Sequence, residues 1–275
     1  MSYLLVAILG LAFGSFLNVC IFRLPRYESI VTPRSRCTRC NRLIRWHDNI
    51  PVLSYLVLGG RCRDCRERIS PIYPTVEILT AGVLVAGLAR YGATPEFVKY
   101  AVLGMLLIVL MFTDFTARKI PHAVTLLGMA MGLALSFVVP VDDRLLELFL
   151  RRFDVFPEGA FSSLLGALSG GLFGGGLFYA VGAIFRRLRH KEGLGFGDVM
   201  LMAMVGTFFG IPLTYLTILL GSIGGSAIAG SLYVASARFR HDYQWPYGTF
   251  LAAAAIYVNW AGKALLDTYL HWSGL

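Results

Sequence analysis

Apolar residues fill this chain in long unbroken blocks, not at the alternating or single-face positions of a soluble fold. The blocks lie near residues 2–22, 75–91, 98–114, 120–140, 160–185, 199–213, 215–237 and 249–270. Each approaches the roughly 20 apolar residues that carry a helix across a bilayer. From Val199 to Ala237 no charge occurs in 39 residues, too many for one crossing, and Gly210-Ile211-Pro212 supplies a break. The pattern therefore predicts about eight transmembrane helices. Gly166, Gly170 and Gly174 recur every four residues, as do Gly221, Gly225 and Ala229. Small residues at that spacing share one helix face and let neighbouring backbones approach. Docking of a substrate helix on such a stripe is the alternative use.

Composition agrees with that reading. Hydrophobic residues make up 56% of the chain and charged residues only 15%, with a mean hydropathy of +0.66. A soluble domain carries about 25% charged residues, so the predicted class is an all-α polytopic membrane protein. The net charge of +9 does not indicate a nucleic-acid partner, because the arginines concentrate between apolar blocks, where they set topology. Between Arg23 and Arg68, eleven arginines face four acids. That loop is expected in the cytoplasm. The first block has its basic residues after it, the reverse of a cleavable signal, so it is read as a retained span with its N-terminus outside.

The other loops agree. Arg118 and Lys119, then Arg186, Arg187, Arg189 and Lys191, then Arg238 and Arg240 all fall on the expected cytoplasmic side. The net acidic stretch from Val141 to Gly159 falls outside. Two parts are expected: residues 1–74, a first helix with a basic cysteine-bearing loop, and residues 75–275, a seven-helix bundle. No internal repeat is evident.

Cys37-x2-Cys40 and Cys62-x2-Cys65 are separated by 21 residues. Two such knuckles suit a tetrahedral four-thiolate Zn²⁺ site. Two disulfides are the competing arrangement, disfavoured because cytoplasmic thiols stay reduced. A closed four-sulfur site leaves no position for water, so the zinc is expected to be structural. Cys20 lies within the first span and reads as a buried thiol.

Three acids fall inside or at the edge of spans: Glu77, Asp114 and Asp198. Carboxylates there are costly and therefore candidate functional groups. Asp114 closes one span and Asp198 opens another on the same membrane face, so a bundle can bring them together. Two aspartates sharing a proton activate water and polarise a peptide carbonyl, as in aspartic proteolysis. The shared proton is expected mainly on Asp114, with Asp198 as the base. Gly195 and Gly197 are expected to let an extended peptide approach beside Asp198. Capping of a helix N-terminus is the alternative role for Asp198.

"GSFLNVCIFRLP" (14–25), "WHDNIPVLSYLVLGGRCRDCRERISPIYPTVEILT" (46–80), "GFGDVMLMAMVG" (195–206) and "PYGTFLAAAA" (246–255) resemble segments of the type IV prepilin peptidases. The resemblance covers most of the chain. It implies a GxGD-type aspartic membrane enzyme of the bacterial inner membrane, with Asp114 and Asp198 catalytic and Cys37, Cys40, Cys62 and Cys65 binding zinc. Its implied substrates are prepilins or type II secretion pseudopilins, which lose a basic leader and are then N-methylated from S-adenosylmethionine. Glu77 matches the acid of the "YPxVE" segment, where it could hold a basic group of the substrate or pair with an arginine. Two positions depart from the family pattern: His122 stands where "IPD" ends and Met200 where "GDxK" ends. They are expected to replace an acid–base pair by neutral contacts. No S-adenosylmethionine motif is recognisable. A noncatalytic assembly factor with a zinc docking loop and an ion-coupled transporter are the rival readings.

Overall fold

Backbone polar groups in a bilayer must be satisfied within the segment that carries them, which leaves the helix as the natural form for each apolar block. The computed structural model describes residues 2–141, 146, 152, 159–190, 194–235 and 245–273. The described residues form eight α-helices and no strand. Most of the acidic stretch from Val141 to Gly159, together with Lys191, Arg238 and Arg240, lies outside the described residues. The chain divides into two compact units, Met1–Phe97 and Val98–Leu275, instead of at residue 74.

The first unit is built on α1 (Tyr3–Arg23) and α3 (Ile72–Tyr91). Ser2 caps α1 by accepting the Leu5 amide at 3.3 Å, as N-terminal hydroxyls do. The two helices pack through Gly10 and Gly14. A methyl on Gly10 would stand 2.5 Å from Ala81 Cα, and one on Gly14 2.5 Å from Glu77 Cα. This close approach explains why the second span belongs with the first unit. Asn18, buried in the seam, donates to the Tyr73 carbonyl at 2.9 Å. Between these helices run a turn at Trp46–Asn49, the short helix α2 (Leu53–Val57) and the cysteine loop.

The second unit holds most of α4 (Pro95–Ala117), then α5 (His122–Ser136), α6 (Gly159–Arg189), α7 (Phe196–Ala235) and α8 (Tyr247–Ser273). The 40-residue α7 is broken at Gly210, whose φ of 71° and ψ of −175° leave the helical region. The break expected from Gly-Ile-Pro is present, and each of the eight apolar blocks has a helical counterpart. Among the described residues, six helices are long and apolar enough to cross a membrane, while α5 is a shorter apolar helix of 15 residues. The Gly170 stripe of α6 packs on α7, where a methyl would overlap the Gly206 carbonyl, and Gly225 of α7 meets Phe250 of α8. Both glycine stripes thus serve helix packing. Leu107, Ile108, Leu201, Met204 and Leu251 are fully buried between them.

Candidate active site and metal centre

Asp114 occupies the last turn of α4, and Asp198 the first turn of α7. The start of α8 brings them together. A methyl group on Gly248 would stand 3.0 Å from Asp198 Oδ1 and 3.2 Å from Asp114 Oδ2. Only a glycine lets the α8 backbone pass so near both carboxylates. The next residue holds one of them. Thr249 donates its amide to Asp114 Oδ2 at 2.7 Å and its hydroxyl to the same oxygen at 2.9 Å. That amide lies in the first turn of α8 and is shared with the Pro246 carbonyl at 3.2 Å, so Asp114 helps to cap a helix to which it does not belong. Both carboxylates thus sit at helix N-termini, Asp198 on α7 and Asp114 on α8. The α8 terminus adds positive potential at Asp114 that opposes the C-terminal end of α4, so helix ends alone do not divide the roles of the pair.

The α4–α5 turn completes the cluster. Arg118, at φ 55°, returns its amide to the Asp114 carbonyl at 2.9 Å. Ile120 then enters between the aspartate-bearing elements. A methyl on Gly197 would meet Ile120 Cβ at 2.8 Å, and one on Gly248 would meet Ile120 Cδ1 at 2.8 Å. The second glycine of the G-x-G-D stretch therefore makes room for Ile120, where an approaching peptide was expected. At Gly195 the nearest atom to an added methyl is Asp198 Oδ2, at 3.4 Å, so this glycine adjoins the carboxylate itself.

The four loop cysteines, Cys37, Cys40, Cys62 and Cys65, converge. Their sulfurs all lie within 4.8 Å of one another, and Cys37 Sγ stands 3.8 Å from Cys65 Sγ. Four thiolates about 2.3 Å from one ion form a tetrahedron with edges of about 3.8 Å, so the donor set fits Zn²⁺. All four cysteines are free. The two knuckles are copies offset by 25 positions. Cys37 and Cys62 donate amides to Arg42 and Glu67 (2.9 and 2.8 Å), and receive them from Asn41 and Arg66 (both 3.0 Å). Asn41 and Arg66 are both left-handed, at φ 59° and 58°. This is a repeat that reading the sequence missed, although R-C-x-x-C-x-x-x-I occurs at both 36–44 and 61–69.

The thiols differ in their proton affinity. Burial raises that of Cys37, but hydrogen bonds from the Cys40 and Arg39 amides and from the Cys40 and Cys62 thiols outweigh it and bring its pKa to about 7. Arg63 grips Asp48 through two nitrogens at 2.6–3.1 Å, tying the second knuckle to the Trp46–Asn49 turn. That hydrogen bonding, with the arginine's charge, holds Asp48 below its ordinary pKa.

A model of the bacterial peptidase A24 N-terminal domain matches residues 8–91, and one of the type IV leader peptidase family matches residues 101–230. The chain is 39% identical over 231 residues to the prepilin leader peptidase/N-methyltransferase of Myxococcus xanthus, covering 84% of this chain and 63% of that one. It therefore spans less than two thirds of that relative. The Pseudomonas putida protein of the same name is 32% identical, with 94% and 91% covered. The Bacillus subtilis one is 28% identical, with 96% of each covered. No solved structure matches the chain.

The chain belongs to the type IV leader peptidase family. Membership makes it an enzyme of the prepilin-peptidase class. Of the positions that depart from the family pattern, His122 packs edge-on against Phe196, with ring centroids 5.7 Å apart, two residues before Asp198. Glu77 lies in the first unit, 7% exposed, and its Oε2 accepts the Val52 amide at 2.7 Å. Thr249, Gly248 and Ile120 are the site residues that sequence reasoning missed. The signal was available in Pro246-Tyr247-Gly248-Thr249, a glycine and a hydroxyl at the start of an apolar block.

Proposed function

We propose that the chain is a membrane aspartic endopeptidase that removes the basic leader of prepilins or pseudopilins, with Asp114 and Asp198 as its catalytic pair. The observation that carries this reading is the convergence of both carboxylates on Gly248. In the reaction, the ionised aspartate takes a proton from water as the oxygen attacks the scissile carbonyl. The protonated aspartate donates to the carbonyl oxygen. Collapse of the tetrahedral intermediate breaks the C–N bond, and the proton taken from water passes to the departing amine. Thr249 keeps Asp114 oriented by occupying one of its oxygens, which leaves the other for the reaction.

The topology belongs to the same proposal: N-terminus outside, cysteine loop in the cytoplasm, and a bacterial inner membrane around the bundle. The basic loop, with eleven arginines, then faces the cytoplasm, where the leader would be cut. The zinc would be held by Cys37, Cys40, Cys62 and Cys65, and it would brace the loop. Methylation of the new N-terminus follows the relatives' name of N-methyltransferase, with S-adenosylmethionine as the proposed donor, and no residue is assigned to it. The acids of the pair sit at helix ends and not in mid-span, which disfavours an ion-coupled transporter. A noncatalytic assembly factor would bind prepilin without cutting it.

The test is incubation of the detergent-solubilised protein with a prepilin, followed by intact-mass measurement. Loss of a leader-sized fragment is expected, with a further gain of one methyl group. An unchanged substrate mass with the protein folded would exclude the peptidase.

A further inference from the structure

The short segment around α2 is built inside out. Ser54 is buried, its hydroxyl donating to the carbonyls of Ile50 and His47 (2.5 and 3.2 Å), whereas Leu53, Leu56 and Val57 are 55%, 68% and 72% exposed. Trp46, just before it, is 75% exposed. An element that hides its hydroxyl and presents its leucines is arranged for an apolar surround.

Its position relative to the spans supplies a second observation. The amide of Val52 donates to Glu77 Oε2 at 2.7 Å. Glu77 is the sixth residue of α3, a helix of 20 residues and so about 30 Å long, roughly the thickness of the hydrocarbon core. Glu77 also lies against Gly14, nine residues or about 14 Å before the end of α1. Val52 is therefore pinned beside the first turns of the span and not out beyond it. Its backbone takes a conformation that a β-branched residue rarely adopts, φ 60° and ψ −49°, closed by the Leu53 amide on the Pro51 carbonyl at 2.6 Å. Irregular backbone at such depth persists only where protein satisfies its polar groups, and the buried carboxylate of Glu77 does that. Arg45 and Arg61 flank the segment and are exposed, suited to anionic headgroups.

We propose that residues 46–58 form an interfacial anchor. Leu53, Leu56, Val57 and Trp46 enter the leaflet on the cysteine-loop side, and Glu77 fixes the depth through Val52. Its occupant is an anionic lipid bilayer. The anchor would hold the zinc-binding knuckles, one just before it at 36–44 and one just after it at 61–69, close to the membrane surface.

The test places the photoreactive residue benzoylphenylalanine at Leu56 in the full chain, reconstituted in nanodiscs of phosphatidylglycerol and phosphatidylethanolamine. Thr38, exposed on the first knuckle, carries the same probe as a control. After irradiation, peptide mass mapping is expected to find lipid adducts at position 56 at least about tenfold above position 38. Glu77→Leu, with helicity checked by circular dichroism, is expected to lower the adducts at 56 severalfold. If that variant does not fold, the comparison of positions 56 and 38 decides alone. Equal lipid labelling at the two positions would overturn the proposal. So would adducts at 56 mainly to this chain or to added prepilin.

Discussion

The cysteine centre and the carboxylate pair reach convergence by opposite routes. Each knuckle closes on itself within six residues, through the same hydrogen bonds from Cys37 to Arg42 and from Cys62 to Glu67. Two such closed turns need only meet once. The carboxylate pair has no local closure: Asp114, Asp198 and Gly248 are far apart in sequence and share no turn. They meet because three helix ends arrive at the same end of the second unit, with Thr249 bridging two of them. A locally closed site tolerates change elsewhere in the fold, whereas a site assembled from helix ends depends on every packing contact that sets those ends.

The sharpest break in this comparison is at the carboxylates. Asp114→Asn and Asp198→Asn are each expected to lower prepilin cleavage by at least about a thousandfold, or about 4 kcal/mol of barrier, while zinc content stays at one per chain. Initial rates and elemental analysis of the purified variants check both halves. Retained turnover in either variant would remove that aspartate from the catalytic pair.

Assembly from helix ends is tested next. Gly248→Ala places a methyl group beside both carboxylates and is expected to reduce kcat roughly a hundredfold, the scale of a misplacement of about 1 Å. Thr249→Val removes the hydroxyl but keeps the amide, and is expected to cost about tenfold, with Thr249→Ser restoring most of the rate. A valine variant as active as the serine variant would show that the hydroxyl does not position Asp114.

Cys62→Ser is expected to abolish stoichiometric zinc and expose residues 36–69 to hydrogen exchange, while kcat falls far less than in the aspartate variants. Mass spectrometry finding disulfides under thiol-blocking conditions would contradict the zinc centre. The smallest effect concerns the Arg63–Asp48 pair. The folded-state pKa of Asp48 is depressed, so the pair's contribution is fully present above the unfolded value of about 3.9 and is lost as pH falls through the lower folded value. Between pH 7 and 5 the pair is constant. Asp48→Asn should therefore speed hydrogen exchange of the loop at pH 7 by no more than about fivefold, the scale of an exposed ion pair, and an increase of about a hundredfold would show that the pair holds the loop together.

Hydropathy was enough to place the helices, because each apolar block is a statement about solvent that any neighbour must respect. The break in α7 was legible for a similar reason: glycine followed by proline two residues later disfavours a continuous helix wherever it occurs. The paired cysteines and the two aspartates were legible because thiolates in fixed spacing, and acids beside apolar runs, are rare without a use. The sequence could not show that Thr249 caps Asp114, that Ile120 fills the space Gly197 leaves, or that Glu77 holds the Val52 amide. Those partners are a backbone amide, a hydroxyl and an aliphatic side chain, which nearly every segment offers. Chemistry that is scarce along the chain announces itself, but common groups acquire a role only when packing selects one of many, and that selection was made by the tertiary structure.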